Sequence, residues 1–223
     1  MMVNLFSIFD PSTKFLLSAN WLSAEIFFFL LPVQLWAAPT RMKQMISSLF
    51  TYLFKEFSPL VKKIPFILLM TLSIFTIIAT NNSMGLLPYV FTASSHMTFT
   101  LPLALSLWMS TFIYSWVNNT RNSLIHLIPQ GTPFMLMPFM VIIETISALI
   151  RPGTLAVRLA ANMIAGHLLM VLLSSSFLFS PITALPLLYL AQMMLSLLEM
   201  AVALIQAYVF SILLTLYSAE SVN

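Results

Sequence analysis

Polar residues interrupt this chain at long intervals, and those intervals define its elements. Five stretches are apolar enough, and at least as long as the roughly 20 residues that a helix needs, to cross a bilayer. They are 15–38, broken by Glu25; 64–91 and 97–117, both uncharged; 132–179, which holds Glu144, Arg151 and Arg158; and 182–217, which holds Glu199. The last two exceed a straight crossing, so they must tilt, bend or reach beyond the hydrocarbon. Between the first two lies RMKQMISSLFTYLFKEFSPLVKK, 41–63, with Ile46, Leu49, Phe50, Leu53, Phe54 and Phe57 at roughly helical spacing among five basic residues and one acid. That pattern predicts an amphipathic helix lying at the membrane interface.

The basic loop also orients the chain, because positive loops stay on the matrix or cytoplasmic side. Counting from it, the N-terminus is outside, the loop near His96 is outside, residues 118–131 with Arg121 are inside, and the C-terminus is inside. Glu144 then falls nearer the inner face and His167 nearer the outer.

Composition narrows the class. Hydrophobic residues make up 60% of the 223 and charged residues 7%, against about 25% charged in soluble domains. Mean hydropathy is +1.00. A soluble fold of this size leaves too much surface exposed to hide so many apolar side chains. The expected fold is an all-α integral membrane protein: a single polytopic domain over 1–223. There are no cysteines and three scattered histidines, so neither disulfides nor a metal site are expected. Nor does anything call for a cofactor. The net charge of +3 comes from one local cluster and does not indicate a nucleic-acid partner. The opening MMVNLFSIFDPSTK lacks a basic region leading into an apolar core, so no cleaved leader is expected. Sixteen methionines are compatible with synthesis inside an organelle. The absence of a visible internal repeat argues against the inverted halves of many transporters.

Candidate chemistry lies in the ionisable residues within spans, where burial costs of order 2.5–3.5 kcal/mol on insertion scales. Glu144, Arg151 and Arg158 are seven residues apart. Seven helical residues fall about 20° short of two turns, so the three form one drifting stripe with steps of roughly 10 Å. Asn162, four beyond Arg158, extends it; His167 sits off it. Glu199 and Gln206 repeat the seven-residue spacing on the last span. Pro152 and Gly153 are expected to break or rotate the stripe. Arginine stays protonated and cannot relay a proton, whereas Glu144, Glu199 and His167 can. A fixed positive charge between titratable groups suits a barrier between two proton routes. The competing reading of Arg158 is an internal salt bridge to Glu199. Arg151 suits snorkelling or a structural bond as well as a supporting role. His167 could be merely interfacial, and His96 and His126 read as solvent-facing. Glu25 suits either a partner chain or an interface. Ala156, Ala160, Ala161, Ala165 and Gly166 permit close helix approach, either within the chain or against a moving partner.

RPGTLAVRLAANMIAGHLL and SLLEMAVALIQAYVF, with IPQGTPFMLMPFMVIIETIS and NSMGLLPYVF, resemble the subunit a family of the rotary ATP synthase in its animal mitochondrial form. The resemblance spans the chain and is most specific around Arg158. It implies a non-catalytic stator in the mitochondrial inner membrane, its last two spans a long tilted hairpin, with protons crossing through two offset half-channels. The implied partners are the carboxylate-bearing helices of a c-ring, peripheral-stalk and other membrane subunits, the lipid bilayer and protons themselves. His167 and Glu199 would line access from the intermembrane space, Glu144 the matrix exit, and Arg158 would separate them, with Asn162 and Gln206 nearby. Bacterial relatives usually carry a carboxylate where His167 stands and a histidine where Glu199 stands. Two other classes remain open: an autonomous secondary transporter, and a structural anchor of a respiratory complex.

Overall fold

The computed structural model describes residues 5–12, 19–25, 38–61, 65–118, 120–128 and 132–222. Its helices are α1 (Arg41–Phe57), α2 (Pro65–Gly85), α3 (Met97–Asn118), α4 (Thr120–His126), α5 (Met137–Ser176) and α6 (Leu185–Val222). Short 3-10 turns cover Leu5–Phe9, Ala19–Glu25, Ala93–Ser95, Phe134–Leu136 and Ile182–Ala184. Among the described residues four helical stretches are long and apolar enough to cross a membrane: Phe66–Gly85, Met97–Asn118, Phe134–Ser176 and Ile182–Ala219. They correspond to the four spans expected from residue 64 onward. The first expected span, 15–38, lies outside the described residues except for the Ala19–Glu25 turn and a bend at Ala38.

The second span ends six residues before its expected limit of 91, and the chain there shows why. After Gly85 the backbone reverses through Pro88 and Tyr89, closed by the Val90 N–H donating to the Leu87 carbonyl at 3.4 Å. Proline pre-sets the first central residue of such a turn, and the second takes a left-handed conformation; Tyr89 holds φ at 68°. Gly85 has a separate task. A Cβ there would lie 3.0 Å from Thr92 Cγ2 and 3.5 Å from Met163 Cε, so its lack of a side chain lets the returning loop and α5 close in.

α5 has 40 residues and α6 has 38. At 1.5 Å per residue each runs close to 60 Å, about twice the hydrocarbon thickness. α5 is continuous through Pro152, which is buried. The expected break is therefore absent: proline removes one backbone bond, and packing against neighbouring helices holds the rest of the ladder. α5 and α6 form an antiparallel hairpin, with α2 along α6 and α3 across both. The core joins Ile74, Ile78, Ala104, Leu155, Leu159, Ala207 and Phe210. Ala156, Ala160, Ala203 and Ala207 are all at most 2% exposed. Lipid is as apolar as leucine, so close fit and dispersion drive this association. Buried hydroxyls bond back along their own helices: Thr71, Ser211, Thr215 and Ser218 each donate to the carbonyl three residues earlier, at 2.7–3.0 Å. That leaves them satisfied without water.

α1 starts at Thr40, whose hydroxyl accepts from the Lys43 N–H at 3.4 Å, a standard cap. Its apolar residues divide between two faces. Leu53 and Phe57 are buried and Ile46 and Phe50 partly so, while Leu49 and Phe54 point outward with Met42, Met45 and Tyr52. The inward row docks on α2 and α6. Phe57 stacks on Tyr208 at 6.2 Å, and the Tyr208 hydroxyl donates to Glu56 Oε2 at 2.8 Å.

Candidate functional site

Helical register places the polar residues of the hairpin at three levels. Gly166 faces Glu199, Asn162 faces Gln206, and Arg151 faces Tyr217. The order of these pairs gives the antiparallel register directly.

At the first level Glu199 is 8% exposed and His167 is 9% exposed. The Glu199 carboxylate lies so close to Gly166 that a Cβ there would overlap it. Only the bare backbone of glycine accommodates the acid beside His167. The His167 ring meets Phe9 edge-on at 6.2 Å. Its Nε2 is buried with no partner among the described residues. His167 is therefore an interior residue of the helix bundle.

At the second level Asn162 Nδ2 donates to Gln206 Oε1 at 3.1 Å. Gln206 is buried and Asn162 is exposed, so the pair links the interior of the hairpin to its outer face. Arg158, one turn before Asn162, is exposed on that face. Among the described residues it forms no ion pair, and the single salt bridge joins Arg151 to Glu144. The alternative bridge from Arg158 to Glu199 is thus not formed. Eight residues separate Arg158 from Gly166, about 12 Å of helix rise, and the acid is turned inward.

At the third level Arg151 Nη2 donates to Glu144 Oε1 at 3.1 Å, and its guanidinium stands 5.3 Å from the Tyr217 ring centroid. Arginine uses its charge on one face and its plane on another. Arg151 therefore ties the acid of α5 to the end of α6. Of the expected stripe, Glu144 and Arg151 pair with each other, Asn162 bonds Gln206, and Arg158 stands exposed.

The small residues divide by face. Ala156, Ala160 and Gly166 are buried in the helix packing, whereas Ala161 and Ala165 lie exposed beside Arg158 and Asn162. The reading of close approach within the chain thus applies to the buried three. His96, expected to be solvent-facing, is only partly exposed. Its ring stacks on Phe91 at 5.1 Å and tilts against Trp21 at 5.4 Å, and its Nε2 is buried. The His126 side chain lies outside the description, and Glu25 is exposed. Asn81 and Asn82, both buried in α2, were not singled out from sequence. Two consecutive amides within an uncharged span were the available signal.

A helical membrane hairpin that buries an acid beside a histidine, and holds an unpaired arginine elsewhere on its surface, has the parts of a proton-conducting membrane protein. The ATP synthase A chain family model matches residues 16–219. The chain is 52% identical to ATP synthase subunit a of Anopheles gambiae over 224 residues, covering 99% of each. It is 52% identical to that of Locusta migratoria over 223 residues and 51% identical to that of Drosophila melanogaster over 225, again covering 99% of each chain. The chain belongs to the ATP synthase A chain family. It is an all-α, multi-pass, proton-translocating subunit of the synthase membrane sector, in the mitochondrial inner membrane.

Proposed function

We propose that the chain acts as the stator of a rotary motor, in which two half-channels meet a rotating ring of carboxylate-bearing c-subunit helices on either side of Arg158. His167 and Glu199 form the access side, from the intermembrane space. Glu144, held by Arg151, forms the exit side toward the matrix. Asn162 and Gln206 carry polarity from the interior pair to the face of Arg158. The basic loop around α1 lies on the matrix side, which puts the N-terminus in the intermembrane space and the C-terminus in the matrix.

A proton delivered through His167 and Glu199 neutralises a ring carboxylate. The neutral site enters lipid at low cost, whereas an ionised one is excluded. After nearly a full turn the site reaches the guanidinium of Arg158, which favours the ionised form, and its proton leaves past Glu144. Arg158 itself takes no proton. No bond-forming chemistry occurs on this chain, and nucleotide sites belong to partner subunits.

The supporting observation is spatial: a buried acid and histidine on one level, and an exposed, unpaired arginine about 12 Å along the same helix. The test is Arg158→Ala in the assembled complex, read by ATP-driven proton pumping. Loss of pumping with assembly intact is expected. Coupled pumping at the wild-type rate would remove the stator reading, and transport by the chain alone in liposomes would favour an autonomous transporter.

A further inference from the structure

A second polar cluster lies beside the access pair. Asn81 Nδ2, Asn82 Oδ1, Ser94 Oγ and His96 Nε2 are buried without a hydrogen-bond partner among the described residues, as is His167 Nε2. Buried polar atoms are nearly always satisfied, and water supplies what protein does not. Packing connects the levels of these groups. Gly85 abuts both Thr92 and Met163, the latter one turn before His167, and Asn82 Nδ2 donates to the Ala203 carbonyl at 3.3 Å, one turn beyond Glu199. Thr92 Oγ1 and Ser95 Oγ share a hydrogen bond at 3.0 Å, and Ser95 is followed by His96. The Ala93–Ser95 turn packs against α2, α3 and α5. Thus the cluster joins the Glu199–His167 level to the loop between α2 and α3.

His96 is built unlike a filler. The residue is partly exposed while its Nε2 is buried, so His96 stands between inside and outside. Phe91 and Trp21 cover its faces and leave its edge free for hydrogen bonds. Aromatic faces also stabilise a cation, so the ring can carry a charge for the time a proton takes to pass. The Trp21 turn is tied down by the Ser23 hydroxyl, which donates to the Phe91 carbonyl at 2.9 Å. The other titratable groups on the elements around His96 are Glu25 at the end of the Trp21 turn, exposed Tyr89, Tyr114 on α3, and Glu144, Arg151, Arg158 and His167 on α5. None forms an ion pair with it among the described residues.

We propose that His96 is the outermost proton carrier of the access path, taking protons from bulk water and passing them through water held by Ser94, Asn81 and Asn82 to His167 and Glu199. One ring nitrogen gains a proton as the other releases one, so the imidazole returns to its starting charge after each transfer. The proposal rests on the half-channel reading above.

The test uses assembled complex in proteoliposomes, with ATP synthesis driven by acid supplied on the His96 side. His96→Ala should slow synthesis roughly a hundredfold, the low end of what a positioned proton-transfer group contributes, and imidazole added on that side should restore it. His96→Gln keeps bulk and hydrogen bonding but takes no proton, and it decides the matter alone if the alanine variant does not assemble. Slowed synthesis that recovers as mobile buffer is raised supports the relay. Wild-type rates in His96→Gln, or slowing that neither imidazole nor buffer relieves, overturn it. Glu199→Gln and Arg158→Ala are run alongside. If they abolish synthesis while His96→Gln runs normally, only the relay falls; if they run normally, the half-channel reading falls with it.

Discussion

At the scale of the residue, position 166 separates stability from function. A methyl group there meets the carboxylate at the end of a flexible side chain, which can swing away at little cost. Alanine also favours helix over glycine by up to about 1 kcal/mol. Gly166→Ala should therefore assemble normally yet conduct protons poorly, because Glu199 is moved from its place beside His167. Normal assembly with normal pumping would show that the position of the carboxylate does not matter. Sequence made the charged residues legible here, since an ionisable group in an apolar run is costly wherever it sits. It did not reveal the role of Gly166, which looked like one small residue among several. Nor did it reveal the setting of His96, because a histidine next to a loop carries no mark of the aromatic rings that fold over it.

At the scale of the element, two contacts hold helices in place by polar means. The Asn162–Gln206 bond joins α5 to α6, and side-chain bonds between membrane helices average about 0.6 kcal/mol in double-mutant cycles. A cycle with Asn162→Leu and Gln206→Leu should return a coupling of that size; a coupling near zero would show that the pair does not hold the hairpin. The second contact docks α1. Tyr52 and Tyr208 both hydrogen-bond the Glu56 carboxylate and hold it below its ordinary range, against a smaller opposing effect of burial. A depressed folded value means that the contribution is full above the unfolded pKa, about 4.3, and is lost as pH falls through the folded value. Amide exchange over α1 should stay slow at neutral pH and quicken in acid below that point. Tyr208→Phe keeps the ring stack on Phe57 and should remove part of the pH dependence; an unchanged profile would assign the docking to apolar contact alone. The amphipathic spacing of α1 was readable in the sequence, but which of its apolar residues turned inward depended on α2 and α6.

At the scale of the whole molecule, the hairpin leaves an open face. The most apolar window of the Phe134–Ser176 stretch contains no buried residue, and Arg158, Ala161, Asn162 and Ala165 lie exposed together. Small side chains beside an unpaired charge suit a surface along which another helix moves closely. The chain has no cysteine, so an introduced thiol is unique within it. Ala165→Cys should cross-link to a cysteine placed on a c-ring helix in assembled complex, and Ala160→Cys, buried in the packing, should not. Equal cross-linking at both would move the ring-facing surface elsewhere. Hydropathy alone located the four long spans that the structure describes, because span length and apolarity are local properties. The end of α2 was not local: it depended on a turn that brings Thr92 against Gly85.

The fit of Glu199 against Gly166 also constrains the order in which this surface can change through descent. A side chain at 166 displaces the acid while the acid remains a glutamate, so a lineage that gains bulk there first passes through a poorly coupled intermediate. Shortening the acid first opens the room. Glu199→Asp should therefore make Gly166→Ala more tolerable than it is alone, a non-additive pair of the kind expected for residues in contact. The two positions, 33 residues apart in sequence, should be inherited as a unit.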